Sequence, residues 1–302
     1  MNDISTKQNE VKQLQRLSAM RELYSSAKNY QGWQIILVVV MPIILVALSI
    51  IKPDIASYSA VYGVLIAIID LTFFEESVKT RKNKAAKVQE LFDCDVLELG
   101  CSPFKTCDEI TVEEILFHYD AHSKVASNVE KIKDWYSGID TQLPLSIARL
   151  ICQRSNIRWD SNLRVRYVIG IRYFLFFAAL ILLFYGFLNT LKLIDLALLG
   201  SSLLPIFLFC IKQKSDQLDA VNRLNSFNSV ITNLWNSILD GMVNDERLKE
   251  SSRRLQDEIF EHRSKTPLIF DFIYDWFRTK DEDIMRRSNE SLVDELRSKG
   301  II

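Results

Sequence analysis

The chain has 302 residues, a formal net charge of −1, 48% hydrophobic residues and 25% charged residues. These averages are those of an ordinary soluble protein. The apolar residues, however, are concentrated in two blocks with charge filling the rest of the chain. This distribution argues against a single soluble domain and favours membrane spans joined to hydrated regions.

The region before the first apolar block, residues 1–32, is predicted to be an N-terminal cytosolic helix. Its apolar residues recur at steps of three or four from Val11 to Tyr24, which gives a helix one apolar stripe. The region is too long, too charged and too acidic for the start of a signal peptide, and no small-residue cleavage site follows the first span. We therefore expect the first span to remain in the mature protein.

The two apolar blocks each predict a pair of membrane-spanning helices. Each block holds two runs of about 20 residues, which is the length that a helix needs to cross a hydrocarbon core of about 30 Å. The sequence predicts an all-α polytopic membrane protein with two transmembrane helical hairpins, at 33–75 and 168–211, and helical cytosolic regions. The four runs are 33–51, 55–74, 168–188 and 193–211.

The lysines and arginines that flank these runs predict the orientation of the chain. They are frequent before the first run, after the second, before the third and after the fourth, whereas the two turns hold few. Because cytoplasmic flanks carry the excess of positive charge, both termini and the whole middle region are expected in the cytoplasm.

The middle region, residues 76–167, is predicted to be cytosolic and to sense a ligand. A basic helix opens it, and a second helix is predicted over 111–137. No Gly-rich phosphate loop, nucleophile elbow or kinase signature occurs anywhere in the chain, so we expect neither an enzyme nor a bound cofactor.

The five cysteines are expected to be free thiols, because a reducing cytoplasm does not favour disulfides. Three of them, Cys94, Cys101 and Cys107, precede His118 and His122, which raises the question of a zinc site. Structural zinc sites pair their cysteines across two to four residues, whereas six and five residues intervene here. Ordinary packing positions are the preferred interpretation, and no metal site is predicted.

Arginines and a tryptophan lie together before the third run. Arg164 lies close enough to this run to act as its positive anchor. Arg149 and Arg154 lie 19 and 14 residues before Val168, and Arg158 adjoins Trp159, so anchoring explains them less well. Arginine forks suit phosphate oxygens and aromatic rings stack on bases, so all five residues are candidates for an oligonucleotide site.

The alternative for these arginines is a buried polar network, in which Asp134, Asp160 and nearby glutamates hold the cytosolic region together. Trp135 and Tyr136 are weaker candidates for stacking on a base, because each is expected more often in a core. The sequence leaves the ligand site and the polar network open.

The C-terminal region, residues 212–302, is predicted to be helical and cytosolic. Apolar steps of three or four continue the fourth run as a helix to a stop at Gly241. The aromatic run over 268–277 contains two aspartates and is too short to span a membrane, so core packing is its expected use and an interfacial contact is the alternative. The predicted elements are a helix over 245–263, a break at Pro267, the aromatic run, and a helix over 281–298.

Four segments of the chain resemble a known family. They are RLSAMRELYSSAK (16–28), QELFDCDVLEL (89–99), KDWYSG (133–138) and CQRSNIRWDSNLRVRY (152–167). Placed around two predicted hairpins, they resemble the SMODS-associating four-transmembrane effector family over roughly residues 8–295. The chain departs from the family pattern after VLEL, where Gly100 and Cys101 replace an expected Trp-Asn pair.

The resemblance implies a pore-forming effector of a bacterial antiphage system, in the inner membrane with both termini cytoplasmic. It implies control by an oligonucleotide from a nucleotidyltransferase encoded nearby, with membrane depolarisation and abortive infection as the outcome. The expected partners are therefore the lipid bilayer, this oligonucleotide and further copies of the chain. The alternative is a membrane-anchored nucleotide receptor or scaffold that does not conduct.

A pore requires a wet lumen, and four helices of one chain fill their own centre with side chains. We therefore expect a homo-oligomer, with a tetramer as the first hypothesis. The second run carries the most polar face, so it is the predicted lining of the pore. Its candidates are Ser59, Tyr62, Gly63, Ile66 and Asp70, and Pro42 and Pro205 are expected to kink the first and fourth runs.

Overall fold

The computed structural model describes residues 1–52, 54–100, 102, 110–190, 192–193 and 204–302. Every regular element in these ranges is helical, which confirms the all-α prediction. The helices are α1 (Ile4–Lys7), α2 (Val11–Ile35), α3 (Met41–Ile51), α4 (Ile55–Ile69), α5 (Glu75–Val96), α6 (Val112–Ser123), α7 (Ala126–Glu130), α8 (Leu145–Leu188), α9 (Leu204–Leu239), α10 (Asp245–Lys265) and α11 (Asp271–Ser298).

One helix in the described ranges, α8, is both long enough and apolar enough to cross a membrane. Only 11% of its most apolar window is buried inside the protein. A core helix of a soluble protein is buried, whereas this stretch exposes large side chains such as Phe177, Ile181, Phe184 and Phe187. The composition and exposure of α8 therefore fit a helix surrounded by lipid.

The first predicted span is not one uninterrupted α-helix. Residues Ile36–Val40 form a π-helical turn between α2 and α3, just before Pro42. Proline has no N–H to donate to the preceding turn, and π turns are a recognised accommodation of such a local break. A π turn thus precedes Pro42, while the kink expected there remains a prediction.

The other predicted spans are matched only in part, so the two hairpins remain a prediction. A second π turn, Asp70–Phe74, separates α4 from α5, and α3 packs against α4 across a short connection. The fourth run falls largely outside the described residues, with α9 described from Leu204 onward. Pro205 is the second described residue of α9, so the kink expected there is not tested.

Most helix ends of the hydrated regions follow the sequence signals. α9 ends two residues before Gly241, whose φ of +66° favours glycine. α10 ends just before Pro267, and Asn244 caps its first turn by accepting a hydrogen bond from the Arg247 N–H at 2.9 Å. The stop at Gly241 and the break at Pro267 are thus confirmed.

Two predicted helices have different bounds in the structure. The helix predicted over 111–137 ends at Ser123, because Asn128 folds back and donates a side-chain hydrogen bond to the carbonyl of His122 at 3.2 Å. The last helix begins at Asp271, not at 281, since no glycine or proline follows Pro267 before Ser298. Most of the aromatic run is therefore part of α11.

The hydrated helices share one hydrophobic core. Fully buried side chains from five helices meet there, namely Leu17, Phe92, Leu150, Ile231 and Leu296. α2 packs against α5, α8 against α9, and α10 against both α5 and α8. α8 continues without a break from this core into its apolar half, so one continuous helix connects the hydrated core to the predicted third span.

The thiols Cys94, Cys152 and Cys210 are free. Cys101 and Cys107 lie outside the described residues, so the spacing argument about zinc is not tested there. Within the described ranges, no three His, Cys, Asp or Glu side chains are grouped so that they could hold a metal ion.

A candidate ligand-binding cavity

A cavity of about 700 Å³ opens in the hydrated part of the protein. α2, α8, α10 and α11 contribute to its walls, together with the segment 130–139 that follows α7. Its volume lies within the range of about 300–1,000 Å³ that small-molecule sites occupy. Size and concavity make it the leading candidate for a ligand site in the described part of the chain.

Aromatic side chains and one arginine form the most distinctive wall of the cavity. The guanidinium of Arg21 lies 5.2 Å from the ring centroid of Trp135 and 4.8 Å from that of Tyr274. Arg21 also donates a hydrogen bond to the Tyr274 hydroxyl at 2.7 Å, and Trp159 approaches Tyr274 with 5.8 Å between ring centroids. No carboxylate of the described residues pairs with Arg21, whose contacts in this part of the chain are two ring faces and a hydroxyl.

The segment that carries Trp135 is fixed by the N-terminus of the chain. The Gln8 side chain accepts a hydrogen bond from the Tyr136 N–H at 2.7 Å and donates one to the Tyr136 carbonyl at 3.3 Å. Gly138 has a φ of +72°, and a Cβ there would lie 3.3 Å from the Arg286 carbonyl oxygen. The left-handed turn and its close approach to α11 both favour glycine, so the loop is held in place on two sides.

The residues that line the cavity include more cationic than anionic side chains. It contains eight lysines and arginines against five aspartates and glutamates. Several of these charges are paired, as in Arg278 with Glu282 and Lys133 with Glu130. Lys28 and Arg263 pair with carboxylates outside the lining, Asp271 and Asp93. An arginine beside aromatic rings, as at Arg21, is the combination expected for a phosphate-bearing ligand that also carries bases.

A buried ionic cluster adjoins the wall of the cavity. The Asp93 carboxylate, fully buried, accepts hydrogen bonds from Arg263 at 2.5 Å, Gln256 at 3.0 Å and the Tyr136 hydroxyl at 2.6 Å. Burial, reinforced by Asp93, raises the pKa of the Tyr136 hydroxyl well above its ordinary value. This cluster joins α5, α10 and the loop that carries Trp135.

A second cluster joins α8 to α10. Asp160 accepts hydrogen bonds from Arg164 at 3.0 Å and contacts His262 Nε2 at 2.7 Å, while Arg164 also donates to Gln217 at 2.6 Å and to the Pro267 carbonyl at 3.0 Å. Burial alone would raise the pKa of Asp160, but Arg164 and His262 outweigh burial and hold it well below its ordinary value.

The state of His262 predicts a dependence of stability on pH. Burial lowers the pKa of His262, with the Asp160 contact opposing that shift, so the folded protein favours the neutral ring. A lowered folded-state pKa stabilises the fold above the ordinary histidine pKa of about 6.5, and this contribution is lost as the pH falls through it. We expect the unfolding temperature to fall between pH 7.5 and 5.5, and His262→Gln to lessen that fall; an unchanged pH profile in the variant would contradict the assignment.

The structure places the five arginine and tryptophan candidates differently. Trp159 and Arg164 line the cavity. Arg149 does not; it is buried and donates to the carbonyls of Leu97 and Glu98, which satisfies the C-terminal end of α5. Arg154 does not line the cavity and donates to Ser288 Oγ at 3.1 Å, whereas Arg158 is exposed to solvent.

The predicted pore-lining residues are described only in part. The Tyr62 hydroxyl donates to the Leu37 carbonyl at 2.9 Å, and Ile66 is buried within the protomer. Gly63 is exposed, and a Cβ there would meet open space. The side chains of Ser59 and Asp70 lie outside what the structure describes.

The cavity contains residues that the sequence patterns did not single out. Arg21 counted there only as one of the positive charges before the first span, and Tyr274 only as a member of the aromatic run. Arg21 and Tyr274 are 253 positions apart, so no local spacing links them. The resemblance offered the better signal, because all four segments that carry it contribute residues to the cavity lining.

Comparison with known proteins supports the family resemblance of the sequence. A probable CBASS effector molecule of Bacillus cereus (strain VD146) is 26% identical over 295 residues, which cover 92% of this chain and 93% of the relative. No solved structure matches the chain. The family model of the SMODS-associating 4TM effector domain matches residues 2–292, so the chain belongs to that family.

Proposed function

We propose that this protein is a membrane effector of a bacterial antiphage defence system, controlled by an oligonucleotide that binds in the cavity. Membership of the effector family and the name of the Bacillus cereus relative support the defence role. The observation that supports the ligand site is that Arg21 contacts the rings of both Trp135 and Tyr274 in the wall of the cavity and forms no ion pair with a carboxylate of the described residues. This slot, formed by Arg21, Trp135 and Tyr274, offers a guanidinium to a phosphate, and a base could stack on a ring face that Arg21 does not cover.

The site proposed for the ligand combines sequence candidates with new ones. Trp159 and Arg164 remain candidates because they line the cavity, and Arg21, Trp135 and Tyr274 join them. Arg164 already makes several hydrogen bonds, so its role is to shape the wall and to contribute charge. Arg149 is assigned to the end of α5, while Arg154 and Arg158 lie outside the lining and could reach only a ligand that extends beyond it.

The proposed output is an ion-conducting pore in the inner membrane. α2 and α8 carry Arg21 and Trp159 in the cavity and lead directly toward the first and third predicted spans. A ligand that moves either wall would therefore act on a span without an intervening flexible linker. The pore is proposed to form between copies of the chain, with a tetramer as the working hypothesis and both termini in the cytoplasm.

Potassium flux from liposomes tests both the pore and the sign of its control. The purified protein is reconstituted, and flux is recorded before and after adding the nucleotide product of the neighbouring nucleotidyltransferase. Flux only with the product identifies a ligand-opened effector, and flux only without it identifies a channel that the ligand restrains. Absence of flux in both conditions, with the protein correctly inserted, would favour the non-conducting receptor or scaffold.

Ion selectivity tests the proposed lining of the pore. From its position in the sequence, Asp70 is proposed to lie near the cytoplasmic mouth, where Glu75 and Glu76 follow and are exposed. Rings of carboxylates favour cations, so Asp70→Asn is expected to lower the preference for potassium over chloride. Reversal potentials in a planar bilayer measure this preference, with Asp294→Asn as the control; unchanged selectivity would remove the second run from the pore.

A further inference from the structure

The first part of α11 carries an exposed tryptophan that the proposed ligand site does not use. Trp276 exposes 82% of its surface, and the helix around it corresponds to the aromatic run whose use the sequence left open. On the other side of the same helix, Tyr274 and Arg278 line the cavity. The segment 270–281 is covered by protein on that side, whereas its uncovered side carries Trp276 among the exposed polar residues Asp275, Thr279 and Lys280.

One end of this segment lies beside the start of the first predicted span. Asp271 forms an ion pair with Lys28, five residues before Trp33. Phe270 and Asp271 also line a surface depression together with Trp33 and Ile36, the latter of which belongs to the apolar run. The depth of residue 271 is therefore close to that of the first residues of the span.

The other end lies beside the start of the third predicted span. Asp281 accepts two hydrogen bonds from Arg166, at 2.6 and 2.8 Å, and Arg166 lies two residues before Val168. The Arg166 guanidinium also lies 4.3 Å from the ring centroid of Phe277. The carboxylate of Asp281 is almost fully buried, so this contact fixes the position of the helix.

The two attachments place the intervening helix along the membrane surface. Ten residues separate Asp271 from Asp281, which is about 15 Å of helix between the bases of two spans. Trp276 lies midway, and at 100° per residue it projects away from Tyr274. A tryptophan at this depth matches the aromatic belts that membrane proteins place at the level of the lipid headgroups.

We propose that residues 270–281 form an interfacial helix and that Trp276 inserts into the headgroup region of the bilayer. The proposal rests on the membrane insertion proposed above. Exposed Asp275 and Lys280 balance each other, and Arg278 is paired with Glu282, so the segment presents no excess of positive charge. Its partner is therefore the interface of any fluid bilayer and does not need an anionic lipid. Through Tyr274 and Arg278, the same helix joins this interface to the ligand cavity.

Quenching of tryptophan fluorescence by brominated lipids tests the proposal. The full chain is reconstituted into phosphatidylcholine vesicles with and without bromine on the acyl chains, as wild type and as Trp276→Phe. The emission lost on substitution is the Trp276 component, and we expect it to be blue-shifted and strongly quenched. Replacing part of the phosphatidylcholine with phosphatidylglycerol should leave that quenching unchanged.

Trp235→Phe is the matched control, because Trp235 is buried in α9 and donates a hydrogen bond to Glu295 at 2.9 Å. It lies 24 residues, or about 36 Å of helix, beyond Ile211, so its component should not be quenched. An unquenched Trp276 component in protein that resists carbonate extraction would overturn this inference alone. Protein removed from the vesicles by carbonate would overturn the proposed membrane insertion as well.

Discussion

Arg21→Ala is expected to weaken binding of the nucleotide product by roughly tenfold to a hundredfold. The guanidinium contacts two aromatic rings of the cavity and has no carboxylate partner among the described residues. Loss of a charge-assisted hydrogen bond costs about 1.5–3 kcal/mol, and about 1.4 kcal/mol is a tenfold change in affinity. Equilibrium binding of the radiolabelled product to the purified protein measures the effect.

The salt dependence of binding and a conservative variant distinguish a contact of Arg21 with the ligand from a structural role of Arg21. If Arg21 contacts a phosphate, Arg21→Ala should reduce the slope of log affinity against log salt by about one. Arg21→Lys keeps the charge but loses the planar fork, so its affinity should fall between those of the wild type and the alanine variant. Arg254→Ala is the control, since Arg254 is exposed, pairs with Glu250 and does not line the cavity. Wild-type affinity in Arg21→Ala would remove the slot from the ligand site.

Asp93→Asn is expected to lower the free energy of unfolding by about 3–5 kcal/mol, because removing one partner of a buried ion pair leaves the other charge uncompensated. Asp93 is fully buried, and the side chain of Arg263 is 12% exposed. For a protein of this size, the expected fall in unfolding temperature is roughly 6–20 °C. Thermal unfolding in detergent or nanodiscs provides the measurement.

The matched control for this change is Asp294→Asn, which removes an exposed carboxylate and should leave the unfolding temperature unchanged. Combining Asp93→Asn with Arg263→Met removes both charges and should recover much of the loss, since a buried ion pair is often replaceable by apolar residues. A single variant as stable as the wild type would show that Arg263 is compensated by other groups, such as the Tyr136 hydroxyl.

The sequence was sufficient for the helices and for most of their ends, because these depend on neighbours within a few residues. The stops at Gly241 and Pro267 follow from backbone conformation alone. The helix predicted through residue 137 was wrong since Asn128 ends it by a side-chain contact that periodicity does not contain. The late start predicted for α11 was wrong because an aromatic run is compatible with either a loop or a helix.

The arginines show why the candidate site could not be predicted completely from the sequence. Arg149, Arg154, Arg158 and Arg164 look alike in the sequence, yet one satisfies a helix end, one contacts a serine, one is exposed and one lies in a buried ionic cluster. The same residue type can hold a carbonyl, a carboxylate or a phosphate, and only the groups that surround it distinguish these uses. The polar network that the sequence left open is therefore present around Arg164 and Asp160, while the ligand site remains a proposal.

The sequence by itself determined the helical class, the apolar segments and, through four short segments, the family. These properties depend on the spacing of apolar residues, on hydropathy and on short characteristic sequence motifs. Only the tertiary structure decided that Arg21, Trp135 and Tyr274 share one cavity and that α11 bridges the bases of two predicted spans. The physical reason is that burial and pairing are set by contacts between residues far apart in the chain, whose partners no local pattern specifies.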